Sequence, residues 1–180
     1  MHNPSYAKCY ENTLVWKKLF ESLGFKINRE KSVVIPNQRI TFLGYIIDSV
    51  RFMIFLPEDK VEKILDISKK LLKQKNIKIR DLASFIGVFC SSACAILLAP
   101  LFHRYLDIDK IKALRDHNDD FNAYTNISEM SKKEILWWIN HVKSENGKRI
   151  SFGSPTYYVE TDASKIGLGA KCGKVKTQGR

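Results

Sequence analysis

Between Glu11 and Leu23 the apolar residues Trp16, Leu19, Phe20 and Leu23 recur at helical spacing, and Gly24 supplies a C-terminal cap, so the pattern predicts an amphipathic helix. Two short apolar runs, Phe25 to Ile27 and Val33 to Ile35, are each predicted as a strand. Asn37-Gln38 turns into the run Ile40 to Ile47, a further predicted strand, and after a turn at Asp48-Ser49 the segment Phe52 to Leu56 pairs back as a hairpin. Pro57 suits the first turn of a second helix, where Glu58 and Asp59 complement the dipole and Val61, Ile64, Leu65, Ser68, Leu71 and Leu72 face inward.

A third helix is predicted from Ile79 to Leu98, with Leu82, Phe85, Ile86 and Phe89 on one face and Ala83, Gly87, Ser91 and Ala95 on another. Glycine inside a helix costs about 1 kcal/mol relative to alanine, so Gly87 implies close approach to the backbone by a neighbouring helix or a nucleic-acid groove. The polar stretch 107–126 predicts a short helix and a loop. Ser131 and Glu134 have the spacing of a capping box for a last amphipathic helix carrying Ile135, Trp138, Ile139 and Val142. Residues 144–155, rich in Gly, Ser, Asn and Lys, form a tether to a final strand at Tyr157 to Ser164.

Composition adds a partner class. The 180 residues carry 30 Lys+Arg against 19 Asp+Glu, a net charge of +11, and 44% are hydrophobic, enough for a folded core. Such a surplus of cations favours a polyanion, because neutralising phosphates releases counterions. No apolar run of membrane-spanning length and no signal peptide is read in the sequence, so an intracellular setting, cytoplasmic or nuclear, is expected. Cys9, Cys90, Cys94 and Cys172 are too scattered for a disulfide framework. Cys90 and Cys94 lie one helical turn apart near His103, but a closed zinc site takes four ligands, and core cysteines are the reading adopted.

Candidate chemistry concentrates at the last strand. Asp162 ends an apolar run and is followed by Gly167 and Gly169, the way a metal-dependent nuclease core begins, yet no Asp or Glu follows it. A lone carboxylate does not assemble a two-metal site. Asp119-Asp120 lies in a polar stretch without apolar flanking strands and reads as a solvated loop. Of Trp137-Trp138, one is expected in the core and one partly exposed, while Tyr157 and Tyr158 alternate across the strand. No Ser-His-Asp, Cys-His or phosphate-loop constellation occurs at usable spacing.

The order of these elements, with Ser22-Leu23-Gly24-Phe25, Asn28, Lys31-Ser32, the Phe42-Leu43-Gly44-Tyr45 hairpin, the Pro57 helix, the Gly87 helix and Thr161-Asp162-Ala163-Ser164, resembles the reverse transcriptase and ribonuclease H region of retroelement Pol polyproteins. It is most similar to DIRS-type retrotransposons, which carry a tyrosine recombinase. The resemblance implies an α+β fragment: a C-terminal palm remnant with a primer-grip-like hairpin over 1–56, a helical thumb over 57–126, a helix and connection-like tether over 127–156, and the truncated start of an RNase H-like sheet over 157–180.

By that resemblance the chain holds a template-primer duplex, RNA–DNA or DNA, without regard to sequence. Leu43, Gly44 and Tyr45 would steady the primer terminus, and Ala83, Gly87 and Ser91 would lie along the minor groove. Lys60, Lys63, Lys69, Lys70, Lys73, Lys75, Lys78 and Arg80 would contact phosphates. Asp162 would be the first ligand of Mg²⁺, the family's cofactor, accompanied by Ser164. The polymerase carboxylates belong ahead of the first helix and the other nuclease carboxylates beyond Asp162. The expectation is therefore an inactive fragment that retains duplex-holding parts and partners the remaining polymerase and nuclease segments. The alternative is a domesticated or inactive relic acting, if at all, through protein contacts.

Overall fold

The computed structural model describes residues 5–151 and 153–179. They form five α-helices and three small sheets, in two compact units covering 1–148 and 149–180.

The first unit begins with α1, Tyr6–Ser22, capped by the Ser5 side chain, which accepts from the Lys8 N–H at 3.3 Å. Gly24, at φ +83°, ends it. The Gly24 N–H reaches the Glu21 carbonyl and the Phe25 N–H the Phe20 carbonyl, while the Phe20 and Phe25 rings meet edge to face at 5.9 Å. That pair of bonds with its apolar contact is a Schellman termination.

The two strands predicted at Phe25–Ile27 and Val33–Ile35 do not form. A strand needs a hydrogen-bonding neighbour, and neither run has one; the Asn28 side chain instead accepts from the Glu30 and Lys31 N–H groups, both at 3.1 Å, and curls the chain.

The run Ile40 to Ile47, predicted as one strand, folds back on itself. β1 (Arg39–Phe42) pairs antiparallel with β2 (Tyr45–Asp48), and the Phe42↔Tyr45 register leaves Leu43 and Gly44 as a two-residue turn with φ +48° and +74°. Both values positive make it the twist-matched hairpin turn. β3 (Met53–Phe55) adds to β2 across a turn in which Asp48 Oδ1 accepts from the Val50 and Arg51 N–H groups at 3.0 and 2.9 Å.

α2 spans Glu58–Lys73, with Pro57 as its N-cap residue rather than inside the first turn, and buries Val61, Ile64, Ile67, Ser68 and Leu71. β4 (Ile77–Lys78) pairs with β5 (Tyr124–Thr125). Between them lie α3 (Ile79–Ser91) and α4 (Arg104–Asp116), joined by 3₁₀ turns at Ser92–Cys94 and Ala99–Leu101. The third helix stops seven residues short of its predicted end at Leu98. Ser91 and Ser92 cause this: both hydroxyls donate to the Val88 carbonyl, at 2.8 and 2.9 Å, and compete with the helix ladder.

α5 (Glu129–His141) completes the core. Its Trp138 ring stacks on Phe89 at 4.6 Å and its indole N–H donates to the Phe102 carbonyl at 2.7 Å, so the largest buried side chain has no orphaned donor. The predicted capping box is displaced by one turn. Ser128 is the cap, while the Ser131 hydroxyl donates to Asp109 at 2.6 Å. Glu134, 4% exposed, accepts from the Tyr105 and Leu106 N–H groups at 3.0 and 3.1 Å and thereby caps the neighbouring α4. The predicted tether starts later than 144: Asn146 exchanges two hydrogen bonds with the Leu56 backbone, and the Gly147 N–H donates to the Ala95 carbonyl. The first sheet closes with β6 at Lys148–Arg149, in the order β1-β2-β3-β6.

The second unit is a meander of β7 (Val159–Ala163), β8 (Leu168–Cys172) and β9 (Val175–Gly179). Ser164 Oγ accepts from the Ile166 and Gly167 N–H groups and sets the turn between the first two strands. Tyr157 and Tyr158 precede the sheet, exposed, rather than alternating within it.

Candidate nucleic-acid interface

The hairpin tip and α3 meet at Ser91. Leu43 is 79% exposed and holds a positive φ that a Cβ-bearing residue adopts only at a cost of about 1 kcal/mol or more. Next to Gly44, the Tyr45 hydroxyl donates to the Ser91 carbonyl at the C-terminal end of α3. Burial, and then the hydrogen bond and charge of Cys94, push the Tyr45 phenol above its ordinary 10.0, so it stays a neutral donor at neutral pH. Lys60, from the first turn of α2, sets its ammonium 4.6 Å from the centre of the Tyr45 ring.

Along α3 Gly87 and Ser91 are exposed, whereas Ala95, placed on the same face by the sequence and lying beyond the helix end, is fully buried. A Cβ built on Gly87 would meet nothing within 4 Å, Ser91 is exposed and Ala83 partly buried. Among the described residues no helix packs over Gly87, so close helix packing does not account for this glycine.

The cations are uncompensated. Lys63, Lys69, Lys70, Lys73, Lys75, Lys78 and Arg80 are exposed and Lys60 partly so, and none forms an ion pair among the described residues. Lys63 and Lys70, two turns apart on α2, share one exposed line about 100° around the helix from buried Ile64 and Leu71. Lys78 stands over the exposed Tyr124 ring at 5.7 Å, an aromatic and cation pair that only the β4–β5 register reveals. In contrast, Trp137 is half-buried and already stacked within the chain, on Phe102 at 3.9 Å and on His141 at 5.2 Å.

In the second unit Asp162 lies on β7 opposite Gly169, with Glu160 on the same strand face, along a recess of about 570 Å³. Glu160 forms an exposed ion pair with Lys171 at 3.5 Å. Among the described residues no three His, Cys, Asp or Glu side chains gather to hold a metal ion, so this donor set does not fit Mg²⁺ by itself. Cys90, Cys94 and His103 are likewise not gathered into a group of three metal-ligating side chains among the described residues. Both cysteines are exposed rather than in the core, and Cys90 is raised from 9.0 by burial and the Asp107 charge, which keeps it a thiol. Asp119 and Asp120 are exposed, in a loop that Asp120 closes by accepting from the Asn122 N–H.

Against solved structures, the chain aligns over 96% of its length with the foamy viral protease-reverse transcriptase dRH in complex with double-stranded DNA, at a TM-score of 0.58 and 15% identity. The chain has a reverse-transcriptase-like fold. It aligns over the same share with the foamy viral protease-reverse transcriptase in complex with an RNA/DNA hybrid, at 0.58 and 13% identity. The chain spans 28% and 21% of the length of those two proteins. No family model matches it, and no curated protein does. Among its described residues no helix is long and apolar enough to cross a membrane.

One feature lay outside the sequence-predicted site. α1 buries none of its residues, and Val15, Trp16, Phe20 and Leu23 stand 63, 58, 45 and 64% exposed. The helical spacing identified the face; what covers it was not in the pattern.

Proposed function

We propose that this chain is the duplex-holding part of a reverse transcriptase, of the DIRS-type retroelement class that its motifs resemble. The observation that carries the reading is the junction at Ser91, where an exposed hairpin tip is hydrogen-bonded to the end of a helix whose glycine face is open, beside lysines without acidic partners. In this reading residues 40–56 steady the primer terminus as a primer grip, α3 acts as the thumb helix along the minor groove, and the lysines contact phosphates. The two foamy viral proteins of similar fold were solved on double-stranded DNA and on an RNA/DNA hybrid, which supports nucleic acid as the partner. Asp162 is the first nuclease carboxylate, and Mg²⁺ binds there only when further carboxylates from the remaining nuclease segments join it.

The test is binding of the 180-residue chain to an RNA–DNA hybrid across a salt series with Mg²⁺ present, product lengths being read in parallel. The logarithm of affinity should fall linearly with the logarithm of salt, by about 0.9 per phosphate neutralised, without shortening of the RNA strand. A flat salt response defeats the duplex reading, and RNA cleavage defeats the proposal that these residues lack a working nuclease site.

A second reading rests on α1. Its exposed apolar face fits protein contact, with the remaining polymerase segments in an intact element or with other proteins in a relic.

A further inference from the structure

We infer that Lys60, Gly44 and Tyr45 form a preorganised clamp for one backbone phosphodiester of the bound duplex, with Tyr45 as the positioning residue. This rests on the duplex-holding reading and adds a distinction within it: Lys60 differs in kind from the other lysines of α2.

Three observations separate it. Its ammonium lies 4.6 Å from the centre of the Tyr45 ring, on the electron-rich face. The ring is itself fixed, because its hydroxyl donates to the Ser91 carbonyl and the strand register holds Tyr45 opposite Phe42. Finally, a Cβ on Gly44 would stand 2.5 Å from Lys60 Nζ and 3.0 Å from Cε, so the lysine head rests directly against the turn backbone, in space only glycine leaves free. Gly44 is also at φ +74°, so its lack of a side chain serves turn and clamp together.

A held ammonium in a carboxylate-free position suits an anion. Although Glu58 and Asp59 share its helical turn, Lys60 makes no ion pair among the described residues, and Glu58 lies 3.7 Å from Lys143 instead. Beside it stands the exposed tip residue Leu43, so an anion reaching Lys60 also touches the hairpin turn. A freely rotating lysine gives up rotamer entropy when it grips a phosphate; Lys60 has given it up on folding, so more of its attraction appears as affinity.

The experiment compares Lys60→Gln with Lys69→Gln, then runs a double-mutant cycle of Lys60→Gln with Tyr45→Leu, on an RNA–DNA hybrid across a salt series with thermal unfolding of each variant. Lys60→Gln should lower the salt slope by about 0.9, as one phosphate contact does, and weaken binding about three- to tenfold more than Lys69→Gln. Tyr45→Leu should erase that excess, and Tyr45→Phe, which keeps the ring but not its bond to the Ser91 carbonyl, should restore part of it. If Tyr45→Leu does not fold, the lysine comparison and Tyr45→Phe decide. Equal losses for Lys60 and Lys69, an unchanged slope, or additivity in the cycle overturns the clamp while leaving duplex binding intact. A wild-type chain that does not bind the hybrid overturns both.

Discussion

Glu134 shows how a single side chain serves two helices. It belongs to α5, yet its carboxylate closes the N-terminus of α4, whose first N–H groups have no partner within their own helix. Replacing it by alanine leaves the Tyr105 and Leu106 donors without their acceptor in a buried setting, and each such loss costs about 1–3 kcal/mol. Glu134→Ala should therefore lower the unfolding free energy by about 2–4 kcal/mol in urea, with Glu134→Gln recovering part of it. A loss under 0.5 kcal/mol would mean that water replaces the carboxylate. In the sequence this role was masked by spacing. Ser131 and Glu134 fit a capping box in the helix that carries them, and nothing local to α5 says that Glu134 points to residues 105 and 106. The polar groups whose partners lie about 30 positions away were the ones that local pattern misassigned.

At the level of elements, periodicity fixed what was amphipathic and failed where pairing or competition decides. The inward faces of α2 and α5 were legible because Val61, Ile64, Leu71, Ile135 and Trp138 follow the helical repeat, and these residues are buried. The strands at Phe25 and Val33 were illegible because strand formation depends on a neighbour, which apolar content does not supply. The end of α3 was missed because serine hydroxyls, not a proline or glycine, divert the ladder. Gly87 gives this helix its sharpest test. With no atom within 4 Å of a built Cβ, Gly87→Ala should stabilise the fold by about 1 kcal/mol through helix propensity alone. If the face lies in a groove, the same methyl weakens hybrid binding. Stability rising while affinity falls marks a surface kept open for a ligand; both unchanged or both rising would remove α3 from the interface.

For the whole molecule, the balance between holding a duplex and contacting protein turns on α1. Its helix is well terminated at both ends, by Ser5 and by the Gly24 motif, so its apolar stripe is formed before anything covers it. Yet none of its residues is buried, and the core assembled from α2 to α5 closes without it. These two facts separate stability from association. Substituting both Val15→Lys and Trp16→Lys should leave the stability of the chain to urea within about 0.5 kcal/mol of its original value, as for surface positions in general. An uncovered apolar stripe should also make the isolated chain self-associate with concentration in sedimentation, and the same substitutions should abolish this, because they place charge in the stripe. They should also leave the salt slope of hybrid binding no lower than before, since the lysines proposed to contact phosphates lie on α2 and beyond. If instead the double substitution unfolds the chain, α1 is part of the core and its face is not a docking surface. If association persists unchanged, the contact lies elsewhere, and the reading that assigns α1 to the remaining polymerase segments loses its support.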